Sequence, residues 1–239
     1  MSIKIAVFSD IHGNSSALKA VLEDIDKYQD IEHLYCLGDM IGVGHESNKV
    51  LELLSNRNNI SYVKGNHDQE IISILNGEEN PDDLFKEHHY WIAERIDPKF
   101  FPFLFGLSQT ILSEYEGKKV LFKHYHLDGS QSFIPVDSES SIKKLDALYH
   151  NSSIDMVCFG HHHVVYYFQS EGRYYLNPGP LGINRGPRAK YAIIEIGNTI
   201  HIQFKDIEYN NHDLERFIDD FQNLNVPFGG KIINSYIKL

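Results

Sequence analysis

A chain of 239 residues is long enough to bury a full core, as one large domain or two small ones. Its 42% hydrophobic, 12% aromatic and 23% charged residues describe an ordinary globular composition. A formal net charge of −11 argues against a general binder of nucleic acid or anionic membrane, which needs a basic face, although it says nothing about one local site.

No apolar stretch approaches the ~20 residues that span a bilayer, so no membrane partner is expected. No basic-then-apolar leader opens the sequence, which makes cytoplasm the expected compartment. The two cysteines, Cys36 and Cys158, sit in apolar runs and read as buried core residues without a disulfide framework. The 14 histidines cluster beside glycines and carboxylates.

Residues 3–8 form an apolar run of strand length that stops at Ser9-Asp10-Ile11-His12-Gly13-Asn14. Ala17, Leu18, Val21, Leu22 and Ile25 then keep the spacing of one helix face, with Asn14 or Ser15 placed to cap it. This opens a βαβ unit, and open α/β sheets hold their ligands beyond the carboxyl ends of the strands. Asp10 and His12 stand there, unless Asp10 only caps the helix. The pattern recurs: residues 33–37 read as a strand ended by Gly38-Asp39, with a helix over 46–55 after it. A third strand at 60–64 ends in Gly65-Asn66-His67-Asp68. Side by side, the three strands would bring their polar ends to one edge.

Residues 69–106 read as a helical insert without metal-type spacing, in which Phe85, Trp91, Ile92 and Ile96 suggest packing and His88 and His89 are expected at the surface. The run Phe100-Phe101-Pro102-Phe103-Leu104-Phe105 reads as core, with a pocket wall or a homodimer contact as alternatives; the number of associating chains is left open. From residue 109 the pattern changes to hairpins: 109–115 with 119–123, 164–169 with 173–176 through Glu171-Gly172, and 191–196 with 199–204. The first of these ends at His124-Tyr125-His126. Helices are expected at 138–149 and at 212–224, the latter opening a helical tail at about 212–239. With no linker, low-complexity tract or repeat, residues 1–239 are expected to form one α/β domain of two packed sheets flanked by helices.

The apolar run 154–159 reads as a buried strand, and Gly160 lets the backbone bend before His161, His162 and His163. If the chain stays extended, His161 and His163 share one face as a metal half-site and His162 takes the other; otherwise the three are solvated in a polar loop. The other strand ends decide. Asp10, His12, Asp39, Asn66, His67, His124, His161 and His163 offer carboxylate, amide and imidazole donors and no thiolate. Such a set suits Mn²⁺, Fe²⁺/Fe³⁺, Zn²⁺, Ni²⁺ or Co²⁺ better than Ca²⁺ or structural zinc. It exceeds the needs of one ion, and two metals about 3.5–4 Å apart are the standard device for attacking phosphate esters.

Asp10-x-His12, Gly38-Asp39, Gly65-Asn66-His67-Asp68, an isolated histidine at a strand end and Gly160-His161-x-His163 resemble the five ordered motifs of the calcineurin-like metallophosphoesterases. The loop Asn177-Pro178-Gly179-Pro180-Leu181-Gly182, followed by Arg185 and Pro187-Arg188-Ala189, is similar to the small bacterial and archaeal phosphodiesterase branch, which includes diadenosine-tetraphosphatase-like enzymes. The resemblance implies a four-layer α/β/β/α sandwich of two mixed sheets flanked by helices. It assigns Asp10, His12, Asp39 and His163 to one divalent or trivalent transition-metal ion and Asp39, Asn66, His124 and His161 to a second. Mn and Fe lead, with Zn, Ni and Co as alternatives.

In the same resemblance His67 stands beside the metals without ligating them, to protonate the leaving group or steady phosphoryl charge, with Asp68 orienting it. Arg185 would hold a distal phosphate in a bidentate contact, if it is not an ordinary surface arginine. Two departures stand out. Tyr125 follows His124 where the family usually has glycine, so His126 competes with the preferred His124 as ligand, and Pro180 stands where serine is frequent. The implied function is dinuclear metal-dependent hydrolysis of a small soluble phosphodiester or nucleotide, such as a dinucleoside polyphosphate. A phosphoprotein phosphatase or a non-catalytic metal-binding scaffold are the alternatives. No long nucleic acid is expected as a partner.

Overall fold

The computed structural model describes residues 2–78, 80–135, 137, 141–170 and 172–234. The first half runs β1 (Ile3–Phe8), α1 (Ser15–Ile25), β2 (Ile31–Cys36), α2 (Ser47–Ser55), β3 (Ile60–Tyr62), α3 (Asn66–Leu75), α4 (Lys86–Ala93), a 3₁₀ turn at Pro98–Phe100, and α5 (Phe101–Phe105). The second half runs β4 (Thr110–Tyr115), β5 (Lys118–Lys123), α6 (Ile142–Tyr149), β6 (Met156–Cys158), β7 (Val165–Gln169), β8 (Tyr174–Pro178), β9 (Arg188–Ile196), β10 (Ile200–Glu208), α7 (Asn211–Asn223) and α8 (Gly229–Ile232).

The strands form two mixed five-stranded sheets, ordered β10-β9-β1-β2-β3 and β4-β5-β6-β8-β7. β1, β2 and β3 are parallel neighbours, as are β5, β6 and β8, so each sheet delivers a row of carboxyl ends to one edge. Alternation along β1 sorts its side chains: Ile5 and Val7 enter the core between the sheets, with Tyr35, Leu37, Val120, Phe122, Met156 and Cys158. Tyr35 of one sheet stacks on Phe122 of the other, ring centroids 3.5 Å apart. Ala6 and Phe8 face the opposite way, against α1, α2 and the insert residues Ile92, Ile96, Phe100 and Leu104. On the outer face of the second sheet, Leu145 and Tyr149 of α6 cover Val157, Phe159 and Tyr175. The result is a four-layer α/β/β/α sandwich.

Asn14 caps α1, its side chain accepting the Ala17 N–H at 3.0 Å. The helix expected at 138–149 starts at Ile142 behind a Ser141 cap; residues 138–140 of that expectation, Glu171 in the second hairpin turn, and residues 235–239 of the tail lie outside the described residues. The insert is helical but interrupted, with no helix among the described residues between Leu75 and Lys86. Two expectations there are corrected. His88 and His89 are not surface residues but 1% and 2% exposed, because each ring finds internal partners, whereas Phe85 is 43% exposed.

Candidate metal centre

Every ligand expected from the motifs lies just past the carboxyl end of β1, β2, β3, β5 or β6. The chain leaves these strands in a strained way. Asp10, His12, Asp39, His161 and His163 all have positive φ, between 48° and 72°, a region that side chains other than glycine rarely occupy and that concentrates at functional sites. Extended backbone is therefore not what sorts the three histidines. The left-handed turns at His161 and His163 aim those rings at the carboxylates, while His162 Nε2 lies 2.9 Å from the Tyr125 hydroxyl. Gly160 is needed for a close approach and not for a bend: a Cβ there would sit 1.9 Å from Ser9 Oγ and 2.8 Å from Asp10 Oδ2. The loop after β8 is locked to the same place, since Asn177 donates to the Gly160 carbonyl at 2.7 Å and Leu181 N–H donates to the Ser9 carbonyl at 2.8 Å.

The donor atoms gather in overlapping groups. In one, His12 Nε2 is 2.9 Å from His163 Nε2, and both face Asp10 Oδ1, at 3.8 and 3.5 Å. In another, Asn66 Oδ1 lies 2.9 Å from His124 Nε2 and 2.7 Å from His161 Nδ1, with Asp39 Oδ2 3.2 Å from His124. Asp39 Oδ2 is also 3.7 Å from His12 Nε2, which joins the groups. Ligand atoms at right angles around one ion, each at about 2.0–2.1 Å, are about 3 Å apart. The observed spacings fit that: two imidazole nitrogens 2.9 Å apart share either a ring N–H or a cation. His124 Nδ1–H donates to the Leu37 carbonyl at 2.8 Å, which leaves Nε2 to the site.

Electrostatics agree with a cation site. The Asp10 and Asp39 side chains are 0% and 2% exposed, and among the described residues no Lys or Arg pairs with either. Burial opposes ionisation of Asp10, yet the hydrogen bond and charge of His163, with His124 and His12, hold it down to about 2. Asp39 is likewise kept well below the usual carboxylate range by His124, His67 and His12, against its burial. In return, Asp39 and Asp10 push His124 up to about 9 in spite of its burial. Buried anionic oxygens thus draw positive charge onto imidazoles, a demand that bound metal ions would also meet.

His67, on the first turn of α3, also lies within 4.8 Å of His12 and Asp39 donor atoms, its backbone N–H donating to Asp39 Oδ1 at 2.9 Å. Asp68 does not touch the His67 ring in any of its hydrogen bonds. Its oxygens accept the N–H groups of Met40 and Ile41, both at 3.1 Å, and of Gly65 at 2.9 Å, which ties the β2 and β3 ends together. His126 points away from the ligand groups, Nδ1 2.9 Å from the Tyr149 hydroxyl. Arg185 is exposed and lines a recess of about 410 Å³ with His163, Asn184, Arg188 and Lys190. A larger groove, about 800 Å³ between α1, α2 and α7, carries charges of both signs but none of the strand-end groups. Sequence reasoning missed His89 and Asp83: His89 Nε2 is 2.7 Å from His67 Nδ1, and its Nδ1 is 2.6 Å from Asp83 Oδ2.

This fold and these strand-end groups belong to one class of protein: residues 3–199 match the calcineurin-like phosphoesterase superfamily domain, and the chain is a member of that superfamily, a metal-dependent phosphoester hydrolase. Over 230 residues it is 31% identical to an uncharacterised protein of Methanocaldococcus jannaschii, covering 86% of this chain and 88% of that one. A hypothetical protein of Pyrococcus horikoshii has the same fold, with a TM-score of 0.78 at 19% identity, covering 97% of this chain and 96% of the other. A metallophosphoesterase of Sphaerobacter thermophilus superposes with a TM-score of 0.73 at 23% identity, covering 95% and 96%.

Proposed function

We propose that this protein hydrolyses a small phosphodiester or nucleotide, of the dinucleoside polyphosphate type, at a dinuclear metal centre. The observation that carries the reading is Asp39, whose Oδ2 lies 3.7 Å from His12 and 3.2 Å from His124, so that one carboxylate serves both ligand groups. Asp10, His12, Asp39 and His163 would hold one ion and Asp39, Asn66, His124 and His161 the other. The mixed oxygen and nitrogen donors suit Mn and Fe, with Zn, Ni or Co able to substitute. Such ions, when bound, supply an activated water and charge neutralisation for the phosphoryl oxygens.

The remaining chemistry falls to side chains. His67, beside the ligand groups, would donate a proton to the departing oxygen. Asp68 holds the two loops that carry Asp39 and Asn66 in register. In the recess beside His163, Arg188 is paired with Asp206 at 3.0 Å, and Arg185 and Lys190 leave the lining with a net positive charge that favours a substrate with a second phosphate. The test is a panel run on the Mn²⁺-loaded protein: bis-p-nitrophenyl phosphate, p-nitrophenyl phosphate, dinucleoside polyphosphates and cyclic nucleotides. Diester and dinucleotide turnover above the monoester supports the reading. Preference for the monoester favours a phosphatase, and no turnover with metal bound favours a scaffold.

A further inference from the structure

We propose that the helical insert completes the active site, with Asp83 and His89 acting as positioning residues that hold the His67 ring in one tautomer and one orientation. The inference rests on the phosphoesterase reading above. His89, on the first turn of α4, lies between two partners: Nε2 is 2.7 Å from His67 Nδ1 and Nδ1 is 2.6 Å from Asp83 Oδ2. The side chains of His89 and Asp83 are 2% and 7% exposed, so the chain of contacts is shielded from competing water. Asp83 is itself held, because its Oδ1 accepts the Phe85 N–H at 2.9 Å. Phe85 closes over the pair, its ring centroid 6.2 Å from that of His67 and 6.4 Å from that of His89. On the other side of His67 stands bare backbone: a Cβ on Gly42 (φ 104°) would fall 2.7 Å from His67 Cβ.

The direction of the hydrogen bonds follows from what each group can do. An ionised carboxylate only accepts, so His89 Nδ1–H donates to Asp83 and His89 Nε2 is left as an acceptor. His67 Nδ1–H must then donate to it, which turns His67 Nε2 to the reacting ester. The acid form of His67 is the imidazolium, protonated on both nitrogens: when the P–O bond breaks, its electron pair stays on the leaving oxygen, the Nε2 proton moves to that oxygen, and the ring is left as the neutral Nδ1–H tautomer that His89 selects. A proton released by the attacking water restores His67 through solvent. Asp83 and His89 touch no substrate; they act through His67.

The test uses the full-length, Mn²⁺-loaded protein and aryl phosphodiesters whose leaving groups run from p-nitrophenol, which departs without a proton, to unsubstituted phenol, which needs one. His89→Ala and Asp83→Asn should lower kcat on the phenol ester about 100-fold, the low end for loss of a general acid, and on the p-nitrophenol ester at least ten times less. KM should stay unchanged, and His89→Gln, whose amide oxygen can accept from His67, should recover part of the loss. Independently of activity, ¹H–¹⁵N spectra of the Zn²⁺-loaded protein, recorded at a pH where His67 is neutral, should show it as the Nδ1–H tautomer in the wild type and a mixture in His89→Ala. Equal losses on both esters, or a His67 tautomer that does not respond to His89→Ala, would overturn the relay. A wild type that turns over no ester while keeping that tautomer would instead strike at the phosphoesterase reading.

Discussion

Asp39 meets His67 through its backbone, accepting the His67 N–H on Oδ1 at 2.9 Å, while Oδ2 of the same carboxylate faces His12 and His124. One buried side chain therefore fixes where α3 begins and bridges the two ligand groups. Asp39→Asn keeps the shape but removes the charge. Turnover should fall by on the order of 10³-fold or more, and both ions should bind more weakly, as read by elemental analysis after dialysis. Retention of two tight ions in that variant would remove Asp39 from the bridging position.

His67→Ala separates proton donation from metal binding. Turnover should drop by about 10²-fold, within the range of general acid catalysis, with metal content unchanged. His67 lies within 4.8 Å of His12 and Asp39 donor atoms, so loss of an ion on mutation would make it a ligand.

Gly160→Ala tests the contact between the sheets. The added methyl would lie 1.9 Å from Ser9 Oγ and 2.8 Å from Asp10 Oδ2, so the strand ends must separate. A destabilisation of about 1–3 kcal/mol, the usual cost of overpacking, is expected in urea unfolding, together with weaker metal binding through a displaced Asp10. Full stability with native metal content would mean that these strand ends part without cost.

Buried histidines set an acid limit on the metal-free fold. Burial pushes His88 down to about 4 and His126 down to about 3, so folded molecules keep both neutral. An unfolded chain protonates them below about 6.5, so stability should fall as pH drops from about 6.5 towards 4, by at most about 1.4 kcal/mol per pH unit for each. His124, raised to about 9, works with the opposite sign: its contribution is complete below 6.5 and disappears as pH rises through 9. Urea titrations in EDTA at pH 5, 6.5 and 8.5 should find the maximum at the middle value. Stability that still increases towards pH 5 would contradict this.

What could be read from the sequence was whatever is encoded locally. Short apolar runs ending in Gly-Asp or Gly-Asn-His-Asp gave the strands, the parallel order of β1, β2 and β3, and the groups at their tips, because a strand and its terminating turn are contiguous. The three consecutive histidines were legible as a site but not in their geometry, since nothing in a run of three histidines announces left-handed backbone at His161 and His163. His89 escaped notice, and Asp83 with it, because the partner of His89, His67, belongs to a different helix and only the packing of α4 on α3 unites them. A signal was present: His88 and His89 occupy the same helix as Ile92, which faces the core. A polar pair beside a buried position can be interior if the fold supplies partners, and here it does.

Loading the protein to saturation with Mn²⁺ and solving a crystal structure with anomalous data tests the central claim most directly. Two peaks about 3.5–4 Å apart, with Asp39 between them, are expected. A single peak, or peaks that do not share Asp39, would contradict the account.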